Sequence, residues 1–188
     1  MKLIKNNMKT ISIVCAIFIT VFIVHDISLL FGANRVGVQV YKANTTILQN
    51  ITFVLSILIM ITALIYTINV FSKKSALFYR LFFILSATQT IIGVIMFSHI
   101  TRTAIIYSIV AICSLVLAFA KDLGKQTSIF LVLLSFGAML IETAAVIIYT
   151  VKGFYAFDIR SIESLFKSLI PIVFVACKYA DKDIRETK

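Results

Sequence analysis

Six runs of predominantly apolar residues, at 11–31, 51–71, 81–98, 103–120, 128–150 and 162–177, leave this chain few folds to choose from. A helix rising 1.5 Å per residue needs roughly 20 apolar residues to cross a hydrocarbon layer. The runs fit or approach that length, and 188 residues hold about six spans with short connections and no room for a soluble domain. Composition agrees, because 61% of the residues are hydrophobic and 14% charged, whereas a soluble domain is nearer half apolar. The expected fold is therefore all-α: a polytopic transmembrane bundle of about six spans, forming a single membrane domain over 1–188. The turn from His99 to Arg102 is tight, and the last run carries Glu163, Lys167 and Pro171.

A net charge of +10 would suit a nucleic-acid binder only if Lys and Arg gathered on one solvated face. Here they sit in short segments between apolar runs, which is the pattern that sets membrane orientation. With the N-terminus inside, the inner segments collect Lys2, Lys5, Lys9, Lys73, Lys74, Arg80, Lys121, Lys125, Lys178, Lys182, Arg185 and Lys188, twelve of the eighteen basic residues. Arg35, Lys42, Arg102, Lys152, Arg160 and Lys167 make up the rest. The bias predicts both termini in the cytoplasm. The expected partner is the lipid bilayer rather than nucleic acid, and the expected location is a bacterial cytoplasmic membrane. No A-x-A-like cleavage site follows the first run, so it reads as an uncleaved span. Cys15, Cys113 and Cys177 lie in different runs without CxxC spacing and read as unpaired, inert thiols.

Polar side chains inside these runs are the informative residues, since a charge at the bilayer centre costs about 2.5 to 3.5 kcal/mol on insertion scales. Glu142 in the fifth span and Lys167 in the sixth come at nearly equal depths, roughly 4 Å outward of the middle. Glu163 lies one turn above Lys167 at the favourable i, i+4 spacing. His25 and Asp26 fall in the outer half of the first span, and Gln89 near the centre of the third. The expected ligand-binding set is thus Glu142, Lys167, Glu163, Asp26 and Gln89, gathered in the outer half of the membrane. Four of the five have a structural alternative: an ion pair joining spans five and six for Glu142 and Lys167, an interfacial position for Asp26, and interhelical bonding for Gln89. Pro171 is expected to kink the sixth span.

Ser135, Ala138, Glu142, Ala145 and Tyr149 follow the spacing of one helical face, as do Tyr107, Ala111, Ser114 and Ala118, while Ser12, Ala16 and Thr20 form a similar row in span one. Rows of small residues let helices approach closely and occur in most multi-span bundles.

Catalytic signatures do not occur. There are two histidines, far apart, with no HExxH, GxSxG or close aspartate pair, and no Gly-rich phosphate loop. An enzyme, a metal site and a cofactor are therefore not expected. Two functions remain. One is a transport component that binds a small solute or ion in a pocket open to the outer face, with the 32–50 connection as a cap. In size and span number the chain resembles the substrate-binding membrane subunits of energy-coupling-factor transporters, with Ser12, Ala16 and Thr20 a loose analogue of their small-residue row; the likeness is architectural. The alternative is a non-catalytic regulatory, assembly or immunity subunit that docks onto a membrane-protein partner.

The orientation is directly testable. Green fluorescent protein fused after Lys188 should fluoresce in cells, and alkaline phosphatase at the same position should be inactive. An active phosphatase fusion would invert the assignment.

Overall fold

The computed structural model describes residues 2–33, 45–70, 75–96, 101–120, 123–152 and 169–179. Helices account for nearly all of them: α1 (Lys2–Ala33), α2 (Thr45–Ile68), α3 (Ser75–Met96), α4 (Thr101–Phe119), α5 (Lys125–Val151) and α6 (Leu169–Tyr179). No strand occurs among the described residues.

Two of these helices, Asn50–Ile68 within α2 and Ser75–Met96, are long and apolar enough to cross a membrane. Only 33% of each such stretch is buried inside the protein, unlike the core helix of a water-soluble domain. The uncovered faces are also apolar. Val54, Leu58 and Ile61 of α2 and Leu77, Leu81, Ile91 and Ile95 of α3 are exposed. An apolar outer face suits hydrocarbon better than water. The apolar stretches of the other helices are shorter among the described residues: Lys9–His25, Ala104–Phe119, Lys125–Gly137 and Leu169–Tyr179.

Several helices outrun the apolar runs that mark them. α2 begins at Thr45 and α3 at Ser75, before the apolar runs that open at 51 and 81. Backbone hydrogen bonding continues through polar residues as long as no breaker intervenes, whereas hydropathy marks only the part that meets apolar surroundings. α2 also stops short of residue 71. The Asn69 backbone N–H donates to the carbonyls of Ile65 and Tyr66, 3.1 Å each, and its side-chain amide donates to the Ile65 carbonyl at 2.9 Å. These bonds close the last turn and occupy carbonyls that a helix end otherwise leaves open.

Successive helices pack on their chain neighbours, α1 on α2, α2 on α3, α3 on α4 and α4 on α5. α6 lies deepest. Ile170, Pro171, Phe174, Val175, Cys177 and Tyr179 are buried and Ala176 alone among its described residues is exposed. A helix covered around most of its circumference belongs at the axis of a bundle. The earlier part of the expected sixth span, and the Lys167 carbonyl that Pro171 would leave without a donor, lie outside the described residues.

The small-residue rows fare differently. In α4, Ala111, Ser114 and Ala118 face the interior, while Ile105, Ile112 and Phe119 face out. In α5, Ser128, Val132, Ser135 and Phe136 are buried. In α1 the expected row fails at Thr20, which is exposed; the buried positions are Ser12, Ile19 and Phe22. Steps of four residues drift about 40° each around a helix with 3.6 residues per turn, so two steps from Ser12 carry Thr20 off the face. Thr20 instead donates its hydroxyl to the Ala16 carbonyl at 2.8 Å.

The most extensive helix contact, α3 on α4, depends on Gly93. A Cβ at that position would meet the Tyr107 ring at 2.8 and 2.9 Å, closer than carbon atoms approach. At Gly137, by contrast, a Cβ would meet nothing within 4 Å among the described residues. Gly93→Ala should therefore lose about 1–2 kcal/mol, overpacking outweighing helix propensity. Gly137→Ala should be neutral or gain a few tenths. Thermal unfolding followed by circular dichroism in detergent checks both, and equal shifts would contradict the packing account.

Candidate functional site

The five residues expected to bind a ligand fall into two groups. Asp26 lies on α1 and Glu142 on α5, both in helical backbone, but their side chains lie outside the described residues, and Glu163 and Lys167 lie outside them altogether. Gln89 is described, and its position is informative. Its amide Nε2 donates to the Thr52 carbonyl at 3.1 Å, joining α3 to α2. This is the interhelical bond foreseen as its alternative role. His25 is half-buried on α1.

The best-defined polar cluster lies at the other end of the bundle, where α2 and α4 end, α3 and α5 begin and α6 ends. It is built from tyrosines. Tyr66 of α2 is buried, and its hydroxyl donates to the Phe174 carbonyl of α6 at 3.2 Å. Tyr179 of α6 donates to the Leu123 carbonyl, in the α4–α5 connection, at 2.7 Å. Its single hydroxyl hydrogen is thereby committed, so Ser128, 2.6 Å away on α5, is the donor in the second bond. Tyr79 of α3 is 3% exposed, and its hydroxyl makes no hydrogen bond among the described residues.

Aromatic rings fill the space between these groups. The Tyr66 and Phe174 rings meet at a tilt of 45° with centroids 4.2 Å apart, Phe82 lies 4.8 Å from Phe174 and 5.1 Å from Phe83, and Tyr79 lies 4.9 Å from Phe83. Lys178 closes the cluster, with Nζ 4.5 Å from the Tyr79 centroid and 5.7 Å from that of Tyr179. An ammonium over a ring face at this distance is held by the ring quadrupole.

Sequence reasoning looked for charges and passed over this cluster. The signal that could have found it is positional: Tyr66, Tyr79 and Tyr179 each stand near the same end of an apolar run, where amphipathic rings collect at a membrane boundary.

Most other hydroxyls serve their own helix. Thr62, Ser86, Thr88, Ser108 and Ser135 each donate to the carbonyl four residues earlier, at 2.7–3.0 Å. Such bonds hide the hydroxyl without specifying a neighbour. Ser114 is buried with no hydrogen-bond partner among the described residues. Cys15, Cys113 and Cys177 are free thiols. Among the described residues no group of three or more His, Cys, Asp or Glu converges in a way that could hold a metal ion.

No protein-family model, curated protein or solved structure matches the chain.

The cluster's two bridging tyrosines should differ in weight. Tyr66→Phe loses one neutral hydrogen bond and should cost about 0.5–1.5 kcal/mol. Tyr179→Phe loses two hydrogen bonds, leaving both the Leu123 carbonyl and the Ser128 hydroxyl without their partner, and should cost about 1–3 kcal/mol. The order of the two unfolding midpoints in detergent is the check; the reverse order would show that Tyr179 does not hold the α4–α5 connection.

Proposed function

We propose that this chain is a multi-pass membrane protein of about six spans with both termini cytoplasmic, acting as a non-catalytic transport component. It binds a small solute or ion from the outer face. The observation that carries this reading is the place of Glu142, a carboxylate on the 27-residue helix α5 and within the apolar sequence run 128–150. A group that costs several kcal/mol to insert is retained where it pairs or binds. Lys167 is the partner expected at the same depth, with Asp26 and Glu163 nearer the entrance.

A second reading has its own support. The amide of Gln89 is engaged with Thr52, so one residue of the expected pocket serves helix association. If the remaining polar groups do the same, the chain is a regulatory, assembly or immunity subunit that docks onto another membrane protein.

The two readings separate on replacement of the charges. A structural ion pair tolerates conversion of both partners to apolar residues, whereas loss of one is strongly destabilising. In the transport reading, the unfolding midpoint of purified protein rises with at least one solute in a screen of vitamins, metal ions and amino acids, and Glu142→Gln abolishes that rise while the protein stays folded. A midpoint that ignores every solute, together with a Glu142→Leu/Lys167→Leu protein as stable as wild type, would favour the docking subunit.

A further inference from the structure

We infer that the end of the bundle at which α1, α3 and α5 begin is a docking surface for anionic phospholipid headgroups, with Lys9, Arg80 and Lys125 as its contacts. The inference rests on the multi-pass reading above and is independent of what Glu142 binds.

The packing brings these three cations to one end. Tyr79 faces Tyr66 at 6.1 Å and carries Lys178 Nζ over its ring, so Arg80, next in sequence, stands level with the last turns of α2 and α6. Tyr179 bonds both Leu123 and Ser128, and Lys125 lies between these two in the chain, at the same level. Ser12 and Cys15 of α1 lie beside Cys177 of α6, and Lys9 is three residues before Ser12, about 4.5 Å further out. The three cations therefore occupy a narrow band of depth on three different helices. All three side chains are exposed.

The charge of this end is one-sided. The twelve basic residues of the inner segments belong to the chain that begins, joins or leaves the helices here, together with four of the eight acidic ones, Asp122, Asp181, Asp183 and Glu186. Twelve against four is a formal charge of +8, where the six basic and four acidic residues of the remainder give +2. A Lys or Arg held near an anionic leaflet strengthens association about fivefold.

What selects a lipid among anions is the surface beside each cation. Ile13, one turn from Lys9 toward the middle of the bundle, Ile129, one turn from Lys125 in the same sense, and Leu81, next to Arg80, are all exposed. A ligand that meets first a cation and then an apolar helix face is an amphiphile. Its phosphate accepts charge-assisted hydrogen bonds from the cation, and its acyl chain continues along the aliphatic side chains. A nucleic acid or an acidic peptide would answer the charges and set its own polar groups against Ile13, Leu81 and Ile129. The residue types suit the headgroup as well. A guanidinium holds a phosphate by two parallel bonds, and a lysine ammonium follows it on a flexible stem.

The test uses full-length protein in maltoside detergent, titrated separately with phosphatidylglycerol and with phosphatidylcholine of the same acyl chains, with the unfolding midpoint as the readout. Wild type should be stabilised at lower concentrations of phosphatidylglycerol than of phosphatidylcholine. The difference should collapse in about 1 M salt, where screening acts within about 3 Å. Arg80→Gln alone should move the phosphatidylglycerol titration about fivefold to higher lipid. Lys9→Gln/Arg80→Gln/Lys125→Gln should bring it onto the phosphatidylcholine curve, with the midpoint in detergent alone close to that of wild type, since exposed charges add little to stability. Lys152→Gln, which removes an exposed cation at the other end of α5, should leave the preference intact. Equal response to the two lipids, a preference that salt does not weaken, a preference retained by both the Arg80→Gln and triple variants, or one lost equally in Lys152→Gln would overturn the inference and leave the multi-pass reading standing. Protein that stays dispersed without detergent would overturn both.

Discussion

The ring of Phe174 is the point on which the described structure depends. Apolar faces that lie in lipid gain nothing by leaving it for each other, so helices in a membrane associate through packing and hydrogen bonding rather than through the hydrophobic effect. Phe174 supplies both. Its ring meets Tyr66 of α2 at 4.2 Å and Phe82 of α3 at 4.8 Å, and its carbonyl accepts the Tyr66 hydroxyl at 3.2 Å. One residue of α6 thereby joins α2 and α3 by ring contact and by a directional bond. Five residues further along, Tyr179 ties the same helix to the α4–α5 connection. Aromatic pairs contribute about 0.5–1.5 kcal/mol each beyond the area they bury, so the two pairs at Phe174 add directly to what holds α6 in place.

Polar groups in the interior divide by what they specify. A serine or threonine bonded to its own helix, such as Ser86 to the Phe82 carbonyl at 2.9 Å, lowers the cost of burying a hydroxyl and leaves the neighbour unspecified. Gln89 to Thr52, Tyr66 to Phe174 and Tyr179 to Leu123 each cross between elements and fix one helix against another. Close approach adds a steric specification, since the Tyr107 ring occupies the place where any side chain at Gly93 would begin. These few contacts set the arrangement, and the surrounding aliphatic residues fill it.

Helix number and class were legible in the sequence because they follow from the length and spacing of apolar runs. Two helices, α2 and α3, meet the length and apolarity of a crossing in the described structure. Boundaries were less legible, since α2 starts at Thr45 by backbone bonding that hydropathy does not record. The row Ser12, Ala16, Thr20 misled because spacing of exactly four is close to, but not on, the helical period, and Ile19 rather than Thr20 faces the core. The alternative role of Gln89 was readable from its chemistry, although its acceptor, a backbone carbonyl on another helix, was not. The tyrosine cluster was missed for a different reason. Charge expense picks out carboxylates and ammonium groups, whereas a phenol is inexpensive to bury and shows its value only when its partners, or their absence, are seen.

The described part of α6 is therefore held most firmly toward its C-terminal end. From Phe174 to Tyr179 it is held by rings and by hydroxyls that bridge to α2 and to the α4–α5 connection. Pro171, fully buried, stands just before this held segment and has no N–H to give to the carbonyl four residues earlier. Displacement of α6 is most costly at Phe174, where movement breaks a hydrogen bond and two ring contacts together.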